Sequence, residues 1–352
     1  MIEVSHLTKV YGDHTAVYDL SFKIEKGQIY GFLGPNGAGK STTMNIMTGC
    51  LSATQGQVKI GGYDIFTEAM KAKQLIGYLP ELPPLYLDST PQEYLKFVAE
   101  AKGVPRKEIP EQIEYVMEKT KIKHMRDRLI KHLSKGYKQR VGIAQALIGH
   151  PQVIILDEPT VGLDPMQIIE IRELIRELGK DHTVILSSHI LSEVQAVCEV
   201  VLIISKGKLV ACDTPENLEK QFAGFVTVDL EAETSAAKAQ EILQNVKGIT
   251  ETTVLQDEAD RCRLKLGSRY VVPDMFTSAI FKAFTKADCT ILSMTPERAS
   301  LETIFIELTR DAQENRDVSE EEIKKAQQSG VSKEQPEAAE AQNASESEAK
   351  AE

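Results

Sequence analysis

The sequence predicts an α/β protein: a mixed-sheet core with an antiparallel β subdomain and a helical subdomain, followed by a small α+β module and an acidic tail. Over residues 1–221, short apolar runs alternate with longer helical patterns. From Phe225 the spacing shifts to brief strands and two short helices, and beyond Arg310 apolar residues become scarce. The expected domains are therefore 1–221, 222–310 and 311–352.

In the first domain, Ile2 to Tyr11 and Ala16 to Ile24 read as antiparallel strands around the turn residues Gly12 and Asp13. Strand-sized apolar runs then end at Gly31-Phe32-Leu33, Ile76-Gly77-Tyr78-Leu79, Val153-Ile154-Ile155-Leu156 and Val184-Ile185-Leu186. Pro91 to Ile130 is helical and highly charged, as in an inserted lobe. Asp164-Pro165 opens a further helix with a capping acid and a first-turn proline. Ile168, Ile171, Leu174, Ile175 and Leu178 share one face of it, and Gly179 closes it.

In the second domain, Val226, Val228 and Leu230 alternate as a half-buried strand does, and Ala236 to Val246 reads as a helix. Thr252 to Leu255 and Cys262 to Leu266 follow as strands, Pro273 to Phe284 as a helix and Thr290 to Met294 as a fourth strand. The order β-α-β-β-α-β is that of a ferredoxin-like module. A last helix is expected over Ser300 to Leu308. The tail is rich in Glu, Ala, Gln, Ser and Lys and has no aromatic residue. It lacks the apolar surface to offset its ordering entropy, so disorder is expected there.

Charge and cysteine usage narrow the function classes. The net charge of −11 is concentrated in the tail, where Asp311 to Glu352 holds twelve acids and five bases, so the other 310 residues carry only −4. No overall basic field for nucleic acid is present, and no nucleic-acid partner is expected. Cys50, Cys198, Cys212, Cys262 and Cys289 are scattered and never form a Cys-x-x-Cys pair, which argues against a disulfide framework or a zinc ribbon and fits a reducing cytoplasm. Met1-Ile2-Glu3-Val4 lacks a basic region followed by an apolar run, and no stretch reaches the ~18 apolar residues of a spanning helix. The chain is expected to be soluble, with any membrane role exercised through a partner.

Gly34-Pro35-Asn36-Gly37-Ala38-Gly39-Lys40-Ser41 fits G-x-x-x-x-G-K-[ST], the phosphate-binding loop, with Thr42 following it. Glycines let the backbone curl so that several N–H groups point at phosphate oxygens, and a helix starting near Lys40 adds its positive end. Lys40 can reach the β- and γ-phosphates, and the Ser41 hydroxyl can ligate Mg²⁺. Val153-Ile154-Ile155-Leu156-Asp157-Glu158 delivers two acids at the carboxyl end of a strand, where α/β folds place their sites. Asp157 is the candidate to hold Mg²⁺ through its water shell, and Glu158 to polarise the attacking water.

Three further motifs, with those above in order over residues 1 to about 220, resemble one family. Leu133-Ser134-Lys135-Gly136-Tyr137-Lys138-Gln139-Arg140 is similar to the signature motif of ABC-type ATPases, a branch of the phosphate-loop NTPases. Glu158-Pro159-Thr160-Val161-Gly162-Leu163-Asp164-Pro165 resembles that family's D-loop, and Ser187-Ser188-His189 its switch histidine. The resemblance implies ATP with Mg²⁺ as the bound nucleotide, Tyr11 stacked on adenine, and His189 sensing the γ-phosphate. It also implies that Ser134 and Gly136 meet the nucleotide of a second nucleotide-binding domain, from a copy of this chain or a paralogue, in a head-to-tail dimer, with Asp164 helping to align the opposite site.

Two departures bear on that implication. Lys135 and Tyr137 stand where the family commonly has Gly and Gln, and Tyr78-Leu79-Pro80-Glu81 carries Glu where its Q-loop has Gln. Glu81 still offers a carboxylate to the nucleotide's metal, and it resembles the ABC-2 and multidrug-export branch, gliding-motility-like members included. The module ending in Arg298-Ala299-Ser300-Leu301-Glu302-Thr303-Ile304-Phe305 resembles the same branch.

The resemblance thus implies the ATP-hydrolysing subunit of an ABC transporter at the cytoplasmic face of the membrane. Its partner would be a separate permease whose coupling helix docks near Pro83-Pro84-Leu85. The alternatives are a soluble ABC ATPase of ribosomes or DNA and a regulatory module without turnover. A single phosphate loop and the absence of long coiled coils or zinc modules disfavour the first. The presence of Lys40, Asp157, Glu158 and His189 disfavours the second. Thr285-Lys286-Ala287-Asp288 fits the [NT]-K-x-D pattern of GTPases but falls in the second domain, and is read as chance.

Overall fold

A computed structural model describes residues 1–221, 226–258, 260–268, 273–298 and residue 305. The chain opens with β1 (Ile2–Tyr11), β2 (His14–Ile24), β3 (Ile29–Leu33), α1 (Lys40–Met47), β4 (Gln55–Ile60), β5 (Tyr63–Asp64), α2 (Ala69–Gln74) and β6 (Ile76–Leu79). A helical lobe follows, with α3 (Pro91–Ala101), α4 (Ile109–Lys119) and α5 (Lys135–Leu147). Then come β7 (Val153–Leu156), α6 (Pro165–Gly179), β8 (Thr183–Ser188), α7 (Leu191–Val197), β9 (Val200–Ser205), β10 (Lys208–Asp213) and α8 (Pro215–Gln221). The last elements are β11 (Val226–Ala232), α9 (Ala236–Gln244), β12 (Ile249–Glu258), β13 (Arg261–Ser268), α10 (Pro273–Lys286) and β14 (Ile291–Arg298).

The central sheet has the order β10-β9-β3-β8-β7-β6. All neighbours in it are parallel except β10, which runs antiparallel to β9, so the sheet is mixed. β3, β7 and β8 are buried along their whole length, as strands covered on both faces must be. One face packs on a second, antiparallel sheet of order β2-β1-β4-β5. There Phe22 of β2 meets Phe32 of β3 edge-on, with ring centroids 5.3 Å apart. Buried residues of the lobe and of α6 and α7 join Leu33, Leu156 and Leu186 in the core on the other face.

Local signals fix the helix ends. α3 starts in a capping box: Thr90 Oγ1 accepts from Glu93 N, and Glu93 Oε2 accepts from Thr90 N. α6 starts at Asp164, which accepts from Gln167 N at 3.0 Å, and Gly179 is its last residue, as expected. The carbonyls at the end of α5 are met by Lys102, whose Nζ donates to Gln145 O, Ala146 O and Ile148 O at 3.2, 3.3 and 2.8 Å. A cation there also suits the negative end of the helix dipole.

The module from Val226 has the predicted β-α-β-β-α-β order, with sheet order β12-β13-β11-β14 and every pair antiparallel. Val226, Val228, Leu230 and Ala232 of β11 face a core completed by Phe276, Ile280 and Phe284 of α10. Two elements differ from expectation. β12 spans Ile249–Glu258 rather than Thr252 to Leu255, because an edge strand with both faces largely exposed gives no alternation to read. β14 runs on to Arg298 through Pro296, which an edge strand tolerates because its outer N–H needs no partner. Of the predicted last helix only Phe305 is described: it is helical and packs against the core beneath the lobe. The rest of that helix, and the tail expected to be disordered, lie outside the described residues. Among the described residues no helix is long and apolar enough to cross a membrane.

Candidate nucleotide site

Parallel register brings the predicted site together. Leu33 pairs with Ser188, Leu186 with Leu156, and Leu156 with Leu79. The segments that follow these residues therefore emerge side by side, carrying the loop at Gly34, the acids Asp157 and Glu158, His189, and Glu81.

The loop from Gly34 turns into α1 at Lys40 through Gly39, whose φ is +101°. A Cβ on Gly39 would lie 2.6 Å from Ala16 O of β2, so a bare α-carbon is required on both counts. Lys40 is buried, and its Nζ donates to Gly34 O at 2.8 Å and Pro35 O at 3.3 Å. It lies 3.6 Å from Glu158 Oε1. Ser41 Oγ donates to Asp157 Oδ1 at 3.3 Å, and the same carboxylate oxygen accepts from Ser187 Oγ at 2.5 Å. Ser187 Oγ in turn accepts from Glu158 N. Glu158 itself sits at φ +48°, a left-handed conformation uncommon outside glycine. Its Oε2 is 2.9 Å from His189 Nδ1. The buried carboxylate thus stands between a lysine and a histidine, placed to accept a proton at the mouth of the loop.

A cleft of about 650 Å³ opens above these groups. Tyr11, Asn36, Gly37, Ala38, Gly39, Lys40, Ser41, Thr42, Glu81, Glu158 and His189 all line it, together with Val161 of the D-loop-like stretch and with His14 and Ala16, which the sequence did not single out. Asp157 is 2% exposed and reaches the cleft only through Ser41. Behind the wall, Tyr78 OH donates to Asn45 Oδ1 at 3.1 Å and Gln145 Nε2 donates to Tyr78 O, tying β6 to α1 and α5. Burial pushes the Tyr78 phenol up, and the charge of Asp157 adds to the effect.

Ser134 and Gly136 are not in this cleft. Ser134 caps α5, and Gly136 lies in a separate recess with Asp164 and Gln167. The two unusual positions of the signature motif have partners near it. The ammonium of Lys135 lies against the bare α-carbon of Gly162. Tyr137 OH is 3.0 Å from His124 Nε2, with the rings edge to face. Thr285 to Asp288, the GTPase-like sequence, lies at and just beyond the end of α10 in the module, and none of it lines the cleft.

Fold and cleft together define a phosphate-loop nucleotide hydrolase. Residues 17–161 match the family model described as ABC transporter. Over 310 residues the chain is 35% identical to the bacitracin transport ATP-binding protein BcrA of Bacillus licheniformis, covering 88% of this chain and 97% of that one. It is 31% identical over 310 residues to the linearmycin resistance ATP-binding protein LnrL of Bacillus subtilis (strain 168), covering 88% and 98%. A solved structure of the ATP-binding subunit of an ABC transporter matches with a TM-score of 0.58 at 30% identity, covering 63% of this chain and 93% of that one. The chain belongs to the ATP-binding proteins of ABC transporters, and it is an ATPase.

Proposed function

We propose that the chain drives a separate membrane permease, as the ATP-hydrolysing subunit of an ABC-2-type exporter at the cytoplasmic face of the membrane. The observation that carries this reading is the length of the match to the bacitracin and linearmycin proteins. Its 310 residues exceed the 221 of the nucleotide domain, so it takes in part of the accessory module as well. We read residues 1–221, 222–310 and 311–352 as the ATPase domain, that module and a tail.

The chemistry follows from the cleft. Tyr11 offers a ring to the adenine, and the loop from Asn36 to Thr42 with Lys40 holds the phosphates. Ser41 and Asp157, a hydroxyl and a carboxylate in contact, with Glu81 in the same cleft lining as Ser41, fit an Mg²⁺ that would take its other ligands from phosphate and water. The metal would neutralise charge on the phosphate oxygens. Glu158 orients a water and takes its proton as the water oxygen bonds to the γ-phosphorus and the bond to the ADP oxygen breaks. His189, bonded to Glu158, fixes the carboxylate and contacts the γ-phosphate.

Ser134 and Gly136 lie outside the chain's own cleft at the start of α5, where Ser134 is exposed and Gly136 buried, and the helix start suits contact with the nucleotide of a second copy. Two copies would then close head to tail on two Mg-ATP, with hydrolysis releasing them.

The test is affinity purification of the tagged chain from its own cells in mild detergent, repeated with Glu158→Gln to hold the ATP-bound form. A multi-spanning membrane protein in stoichiometric amount is expected. Recovery of ribosomes or nucleic acid instead, in both preparations, would replace this reading with that of a soluble ABC ATPase.

A further inference from the structure

We propose that Glu193 is a positioning residue that makes the loop 159–164 and the turn carrying His189 move as one unit; this rests on the reading of Glu158 and His189 as the hydrolytic pair. Glu193 lies in the first turn of α7, outside the motifs and outside the cleft lining, and it is 4% exposed. Its Oε2 accepts from Thr160 Oγ1 at 2.5 Å and from Ser188 Oγ at 2.9 Å. Thr160 lies two residues beyond Glu158, and Ser188 immediately precedes His189. Ser188 Oγ also accepts from Ile190 N at 3.0 Å, which closes the turn around His189.

One carboxylate oxygen therefore bridges both segments that flank the Glu158–His189 contact. A buried carboxylate is costly unless hydrogen bonds compensate it, and here two short hydroxyl bonds to an ionised acceptor do so. A hydrophobic residue of similar size would fill the same space at less cost but would leave the two segments free to shift separately. Glu193 touches neither the cleft nor the reacting atoms, so its effect should fall on turnover and not on nucleotide affinity. The loop it holds also carries Gly162, which lies against Lys135 at the start of α5, and Asp164, which lines the recess there. Movement of His189 with the γ-phosphate would in this way reach the surface offered to a second copy.

The experiment is steady-state ATP turnover of the full chain for Glu193→Ala, Glu193→Gln, Thr160→Val, Ser188→Ala and the Thr160→Val/Ser188→Ala pair, each with its melting temperature. Glu193→Ala should lower kcat about tenfold, the scale of a lost hydrogen bond to a charged group, with KM for ATP unchanged. Glu193→Gln, which keeps an acceptor oxygen, should restore most of that loss. Thr160→Val and Ser188→Ala should each lower kcat, and the pair should cost less than the product of the two because both act through one oxygen. If Glu193→Ala does not fold, this double-mutant cycle reads the same coupling with the carboxylate in place. Independent, multiplicative effects in the cycle, or a change in KM with kcat intact, would overturn the proposal. Wild-type kcat in Glu193→Ala beside an inactive Glu158→Gln would remove this inference alone. Full turnover in Glu158→Gln would remove the hydrolytic reading beneath it.

Discussion

The first 221 residues and the module from Val226 to Arg298 use the same kinds of element but treat charge in opposite ways. Around the ends of β3, β7 and β8, the chain buries Lys40, Asp157, Glu158 and Glu193, none more than 7% exposed. Among the described residues of the module, the buried polar side chains are the hydroxyls of Thr234 and Ser268, and the core is aliphatic and aromatic. The module's ion pairs, Arg261 with Glu231 and Arg263 with Asp229, are partly exposed and contribute little. Buried charge is expensive and persists where it is compensated by partners. The contrast teaches that buried charge gathers where the nucleotide cleft lies, while the described part of the module is held together by apolar packing.

The sharpest test of that contrast is Glu158→Gln. Turnover, read as phosphate release, should fall about 100- to 10,000-fold, the range for removing a general base. Near wild-type release would make the buried carboxylate a structural group and dissolve the comparison. Next in size is Phe276→Ala in the module core, which should cost about 3–5 kcal/mol of module stability in denaturant unfolding while ATP turnover persists. A parallel loss of turnover would show that the two regions act as one body. The smallest effect is expected at Thr90→Ala, which removes half of the α3 capping box. About 1 kcal/mol should be lost, lowering Tm by about 2–4 °C with no change in turnover.

Where function depends on residues adjacent in the chain, the amino-acid order alone reveals it. The phosphate loop, the Asp157-Glu158 pair and the Asp164 cap are such local patterns, and the module's strand order can be read from Val226, Val228 and Leu230 onward. What stays hidden depends on strand register. Glu193 reads as an ordinary first-turn acid of α7 until β7 and β8 pair and bring Thr160 and Ser188 to it. The bond between Tyr78 and Asn45 crosses 33 positions of sequence and carries no local signal. Gly162 signals a turn, but only the fold shows that its missing side chain makes room for Lys135. The β4–β5 hairpin is brief and polar at both ends, and it becomes a strand pair only by completing the sheet of β1.

The contact between Gly39 and Ala16 has a consequence for how the sheet and the loop are held. Gly207 meets the same carbonyl, a Cβ there falling 2.7 Å from Ala16 O. Gly207 also donates to Ala38 O at 2.9 Å and accepts from Tyr18 N at 2.8 Å. The sheet that carries Tyr11 and the loop that carries Lys40 are thus tied together through the backbone of Gly207. A side chain at either glycine would have to push the sheet and the loop apart, because the atom it meets is a backbone carbonyl that cannot rotate away.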